Sequence, residues 1–259
     1  MNLEKELKAA IEVSKIASEK IMEIYKKGFD VEIKDDDSPV TIADKTSDKI
    51  IREYLGKLFP SYAFLTEESV DNKARLKNDF CWVIDPLDGT CDYVAKDDEF
   101  TVNIALVYKH DVVLGVVAIP AKNDIYYAVK DGGAYMQHDV TIKKIHVNNK
   151  VKDLTCLTSV FHFEDNEKAM VKKHSDKITK VQKIGSSLKA CYIAEGKAEI
   201  SYRLSEGTKE WDTAAFQILV EEAGGLVLKP DGKRMLYNRE DVKNHEGYVI
   251  MNNKENFLL

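Results

Sequence analysis

Two apolar runs, Thr101–Tyr108 (TVNIALVY) and Val112–Ile119 (VVLGVVAI), are separated by only Lys109, His110 and Asp111. Runs so rich in β-branched residues, joined by a short polar break, read as a hairpin of buried strands. They commit the middle of the chain to an antiparallel sheet inside the molecule. Further strands are read at Cys81–Asp85 before the hairpin and at Ile125–Val129 and Gly132–Gln137 after it. Upstream the period changes. From Leu3 to Tyr25 apolar residues recur at helical spacing, and the helix stops near Gly28. A second helix is expected from Asp44 to Leu58, ending before Pro60, with KDDDSP (34–39) as a polar loop ahead of it. Residues 1–140 therefore read as an α+β half.

Residues 141–259 alternate more evenly. Strands are read at TCLTSV, KVQKI, AEISYRL, LVLK and GYVIM. Helices are read at FEDNEKAMVKKH, at SSLKACYIAEG with a serine cap, and at DTAAFQILVEEAGG closed by glycines. There is no internal repeat and no low-complexity linker. A chain of 259 residues can bury a sizeable core without disulfides or structural zinc. The four cysteines, Cys81, Cys91, Cys156 and Cys191, form no CxxC pair, so neither a disulfide framework nor a zinc cluster is suggested. The net charge of -6 and the lack of a basic stripe argue against a nucleic-acid partner. No apolar run approaches the ~20 residues of a membrane span, and the charged start is not a signal peptide. These features describe a reduced cytoplasmic protein.

The chemistry concentrates in Asp85-Pro86-Leu87-Asp88-Gly89-Thr90. Two carboxylates three residues apart, just past an apolar strand, can converge on one side of a tight turn. Gly89 lets a phosphate oxygen approach a backbone N–H, and Thr90 can cap a following short helix. Hard oxygen ligands of this kind suit Mg²⁺, although a DxxDG run also serves as an ordinary solvated turn. Three other acidic segments fall at element ends: Asp44 at a helix start, Glu67 and Glu68 after an apolar strand, and Asp212 at the opening of the last helix. Taken singly, Asp44 and Asp212 read as helix caps, and Glu67 and Glu68 as a solvated loop. No Walker loop and no HxxxH spacing occurs.

Taken together and in order, these segments resemble the lithium-sensitive, magnesium-dependent phosphatases of the inositol monophosphatase superfamily, over nearly the whole chain. The resemblance implies a five-layer αβαβα sandwich with the metals held between its halves, and two or three Mg²⁺ per active site. By position it implies Glu67, Asp85, Asp88 and Asp212 as side-chain metal ligands, with the Leu87 carbonyl completing a shell. Gly89 and Thr90 amides would hold the scissile phosphate, with Asp212 also beside the substrate. The Thr90 hydroxyl and Asp44 would orient and deprotonate the attacking water, with Glu67 assisting.

Other segments resemble the 3'(2'),5'-bisphosphate nucleotidase branch, the CysQ-like enzymes, more than inositol monophosphatases proper. They are DEFTVNIAL (98–106), GVVAIP (115–120) and above all Gly185-Ser186-Ser187-Leu188-Lys189. The resemblance implies that Gly185, Ser186, Ser187 and Lys189 help hold the nucleotide, with Lys189 near its second phosphate and Arg203 and His162 assisting. A substrate with two phosphates needs cations beyond the metal site. The family's SRSH segment reads Ser159-Val160-Phe161-His162 here, and Cys91 stands after DGT where many relatives carry lysine. The reading is thus a phosphomonoesterase converting 3'-phosphoadenosine 5'-phosphate to AMP and phosphate, as a monomer or homodimer with a small soluble substrate. Its alternatives are an inositol or sugar monophosphatase and a non-catalytic phosphate-metabolite-binding regulator. Cys91, beside the phosphate-binding turn, is expected either as a lowered-pKa reactive thiol or as an inert packed one.

Overall fold

In a computed structural model the structure describes residues 1–34 and 39–259. Most of the KDDDSP loop lies outside the described residues. The first helix, α1 (Glu4–Lys27), ends at Gly28, whose φ of 90° is open to glycine at no steric cost. A short hairpin, β1 (Val31–Ile33) with β2 (Pro39–Thr41), leads into α2 (Ile42–Leu58). Thr41, three positions upstream of the expected start, is the N-cap of α2. Its Oγ1 accepts from the Ala43 amide at 3.0 Å. Asp44 closes the box by accepting from the Thr41 amide at 2.7 Å.

A seven-stranded sheet follows in sequential order: β3 (Ala63–Thr66), β4 (Phe80–Asp88), β5 (Thr101–Tyr108), β6 (Asp111–Ile119), β7 (Asp124–Val129), β8 (Gly133–His138) and β9 (Thr141–Ile145). Only β3 and β4 run parallel; the rest is an antiparallel meander. The expected hairpin is present as β5–β6. Its turn is two residues long, with Lys109 and His110 both at positive φ (48° and 68°), so Asp111 joins the strand. A six-residue helix, α3 (Thr90–Ala95), lies between β4 and β5.

The chain changes sheet between Ile145 and Leu154. The second sheet has order β11-β10-β12-β14-β13, built from β10 (Leu154–Thr158), β11 (Ile178–Lys183), β12 (Ile200–Arg203), β13 (Leu226–Leu228) and β14 (Tyr248–Met251). Helices α4 (Asp165–Lys173), α5 (Leu188–Ala194) and α6 (Glu210–Glu222) alternate with these strands.

Strand periodicity decides the layers, because successive side chains point to opposite faces. Trp82 and Ile84 of β4 face α1 and α2 in one buried cluster. Cys81 and Val83, one residue out of phase, face α5 and α6, which in turn pack on Leu157, Val227 and Ile250 of the second sheet. The far side of that sheet, including Cys156 and Val249, packs on Met170 and Val171 of α4. The order helix, sheet, helix, sheet, helix is the five-layer sandwich expected. Among the described residues no helix is long and apolar enough to cross a membrane.

The central helix layer sits very close to the first sheet. A Cβ added at Gly115 of β6 would lie 2.2 Å from the Ala215 carbonyl oxygen of α6 and 2.7 Å from Ile218 Cγ2. Backbone cannot give way as a flexible side chain can, so Gly115→Ala should destabilise by about 2–3 kcal/mol in urea unfolding. A loss below about 0.5 kcal/mol would mean that α6 floats on the sheet rather than locking it.

Candidate active site

Three carboxylates converge where β4 ends and α6 begins. One ligand atom each from Asp85, Asp88 and Asp212 fall within 4.8 Å of one another. Asp85 and Asp88 owe their convergence to an irregularity of β4, whose register with β5 shifts between them. The strand should otherwise send them to opposite faces. Asp212 is the third residue of α6, so its carboxylate folds back on the helix start, where Oδ2 accepts from the Lys209 amide at 2.5 Å.

Each acid is anchored through one oxygen. Asp85 Oδ1 accepts from the Leu87 amide at 3.1 Å. Asp88 Oδ2 accepts from the Ser187 amide at 2.8 Å, the Ser187 hydroxyl at 2.6 Å and Asn103 Nδ2 at 3.2 Å. Among the described residues, no protein donor reaches the second oxygen of any of the three. Fixed carboxylates with one free oxygen apiece are suited to a hard divalent cation.

The electrostatics agree. Burial first, then the charges of Glu67, Asp88 and Asp212, push the Asp85 carboxyl well above its usual range. Burial and the charges of Asp88 and Glu67 push Asp212 up to about 8. A bound cation would oppose both shifts by compensating the negative charge.

Glu67 stands beside this cluster, one residue past β3, but its carboxylate is engaged by Lys34 Nζ at 2.9 Å. The same ammonium meets Glu68 at 2.5 Å. Burial lowers the Lys34 pKa, but the two carboxylates outweigh it and hold the ammonium above its usual range. Asp44 uses both oxygens: Oδ2 toward Thr41, and Oδ1 accepting from Thr90 Oγ1 at 3.0 Å. Thr90 is not a helix cap; Gly89, at φ 89°, holds that position. The Thr90 hydroxyl instead lies between Asp44 and the Leu87 carbonyl, 3.3 Å away.

The Gly185–Lys189 segment closes the other wall of a cavity of about 630 Å³ that contains the acids. A Cβ on Gly185 would lie 2.4 Å from Asp92 Oδ1, so only glycine fits. Its amide donates to Glu99 Oε2 at 2.6 Å. Ser187 begins α5, but its side chain serves Asp88 rather than capping the helix. Lys189 Nζ donates to the carbonyls of Ile184 (3.2 Å) and Ser186 (2.7 Å), so it pins the loop with two of its three protons. Arg203 Nη1 donates to the His162 carbonyl at 2.8 Å, which fixes both at the rim.

Cys91 lines the cavity. Burial and the neighbouring Asp92 raise its pKa, and a six-residue helix with an acid in its first turn offers little opposing field. All four cysteines are free thiols.

Residues 2–257 match the inositol monophosphatase family. The chain belongs to that family. It is 35% identical to a 3'(2'),5'-bisphosphate nucleotidase CysQ from Salmonella typhimurium, over 94% of this chain and 98% of the relative. The CysQ relative from Aggregatibacter actinomycetemcomitans is 32% identical over 94% and 91% of the two chains. The crystal structure of CysQ from Bacteroides thetaiotaomicron superposes with a TM-score of 0.83 at 31% identity, covering 96% of this chain and 97% of the other.

Inositol monophosphatase motifs thus account for the acids, but not for their supports. Lys34, Asn103, Ser187 as an Asp88 anchor, and Asp92 were not legible as site residues. Asn103 carried the clearest signal, since a polar side chain inside the apolar run TVNIALVY must find a partner.

The raised carboxyls give a signed pH dependence. A carboxyl at about 8 in the folded chain, against 3.8 for the ordinary group, stabilises the metal-free fold fully below pH ~4. That contribution is lost as pH rises through ~8. With chelator present, the Tm should fall by roughly 5 °C or more between pH 5.5 and 8.5. Saturating divalent cation should flatten the trend. A chelated Tm that rises across the same interval would contradict this description of the cluster.

Proposed function

We propose that the protein is a 3'(2'),5'-bisphosphate nucleotidase that hydrolyses 3'-phosphoadenosine 5'-phosphate to AMP and phosphate with Mg²⁺. The observation that carries this reading is the pairing of two unlike sites in one cavity. Asp85, Asp88 and Asp212 offer free carboxylate oxygens on one wall, and the pinned Gly185–Lys189 loop stands on the other. The CysQ relatives support the same reading.

Glu67, Asp85, Asp88, Asp212 and the Leu87 carbonyl are the groups that would hold the cations. Bound divalent cations supply charge compensation for the phosphate and acidity to the attacking water. The Gly89 and Thr90 amides donate to the scissile phosphate, where the glycine backbone permits close approach. Thr90 Oγ1, already donating to Asp44 Oδ1, can accept a hydrogen bond from the water while passing its own proton toward Asp44. No protein nucleophile is required; positioning and electrostatics carry the step. Lys189, with one proton left after holding the loop, and Arg203 meet the phosphate that is not cleaved. Ser186, Ser187 and His162 complete that end of the cavity. We place the enzyme in the cytoplasm, as a monomer or homodimer.

Phosphate release with Mg²⁺ should be at least tenfold more efficient on adenosine 3',5'-bisphosphate than on inositol 1-phosphate. In Lys189→Ala the KM for the bisphosphate should rise by roughly ten- to a hundredfold, as expected for loss of a charge-assisted contact. The loss on inositol 1-phosphate should be smaller. Equal losses on both substrates, or a preference for inositol 1-phosphate in the unmodified protein, would overturn the assignment.

A further inference from the structure

One face of α2 carries three buried polar side chains, Asp44, Ser47 and Asp48. Their spacing, i, i+3 and i+4, places them as neighbours on the helix surface. Each reaches a different segment of the site. Asp44 Oδ1 accepts from Thr90 Oγ1 at 3.0 Å, at the start of α3. The Ser47 hydroxyl donates to the Pro86 carbonyl at 2.8 Å, inside the irregular turn between Asp85 and Asp88. Asp48 Oδ2 accepts from the Ser69 hydroxyl at 3.1 Å, two residues past Glu67, and from Arg52 Nε at 2.8 Å.

This arrangement is costly for packing alone. Asp48 is only 2% exposed, and among the described residues its Oδ1 has no hydrogen-bond partner. Apolar residues at Ser47 and Asp48 would serve helix packing better. What the polar residues supply is distance control. The Glu67 loop follows β3, whereas the Asp85–Asp88 segment lies in β4 at the point where its register with β5 shifts.

We infer that Ser47 and Asp48 are positioning residues. Helix α2 acts as a fixed template that spaces the Glu67–Glu68 segment against the Asp85–Asp88 turn, and so sets the site's affinity for a divalent cation. This rests on the reading of the acidic cluster as a cation site.

The test is Mn²⁺ binding, followed by the loss of the free-ion electron paramagnetic resonance signal, with metal-free Tm measured in parallel. Ser69→Ala cuts the tether without touching an acid, and it should weaken Mn²⁺ binding about ten- to a hundredfold, the usual effect of losing a ligand's support. Its metal-free Tm should move by less than about 2 °C. Ser69→Thr should restore affinity. Ser47→Ala should weaken binding from the other side of the template. Arg52→Gln, which removes the other bond to Asp48 Oδ2 and leaves the Ser69 tether in place, should change affinity by less than about threefold. Asp48→Ala combined with Ser69→Ala should be no weaker than Asp48→Ala alone, because both remove one contact. If Asp48→Ala does not fold, Ser69→Ala and its threonine rescue decide the matter. A Ser69→Ala titration that superimposes on the unmodified protein would overturn the inference while leaving the cation site standing. Failure of the unmodified protein to bind Mn²⁺ would overturn both.

Discussion

Mutual repulsion among carboxylates is the constraint on which the rest of the structure depends. Asp85, Asp88 and Asp212 bring ligand atoms within 4.8 Å of one another, with Glu67 close enough to raise the pKa of two of them. Left alone, such a group separates or protonates. The fold prevents separation by holding each acid through one oxygen, from a different direction. A strand irregularity holds Asp85, a loop from the second sheet holds Asp88, and a helix start holds Asp212. The remaining repulsion is what a divalent cation relieves, so the architecture stores an affinity for cations.

The five layers explain how these anchors come from opposite ends of the chain. Helices α5 and α6 lie between the sheets, with α6 packed against β6 at Gly115 closely enough to exclude a methyl group. That contact fixes the start of α6, and with it Asp212, relative to the end of β4. Helix α5 fixes the Ser187 amide and hydroxyl against Asp88. The acidic cluster and the Gly185–Lys189 loop are therefore neighbours through one serine, because the loop that Lys189 pins is the loop that anchors Asp88.

The parts legible in the sequence were those set by local rules. Alternation and helical period located α1, α2, the β5–β6 hairpin and most later elements. The acidic motifs located the cluster. Taken singly, Asp44 and Asp212 read as helix caps; in the structure each is instead the third residue of its helix and bonds back to the helix start, while Asp44 also bonds Thr90 and Asp212 lines the cavity. What was not legible depended on pairing across long sequence separation. Ser187 looked like a helix cap because nothing local reveals Asp88, 99 residues away. Lys34 looked like the edge of a charged loop, although it neutralises Glu67 and Glu68. Cys91 read as either a reactive or an inert thiol, because the burial and the adjacent Asp92 that raise its pKa appear only in the fold.

The central claim is that this acidic cluster is a cation site built by the fold. Anomalous diffraction from crystals soaked in Mn²⁺ tests it most directly. The account predicts a peak bounded by Asp85, Asp88 and Asp212, about 2.0–2.3 Å from their carboxylate oxygens, with Ser187 still bonded to Asp88. A cluster without an anomalous peak at saturating Mn²⁺, its carboxyls paired to each other through shared protons, would contradict it.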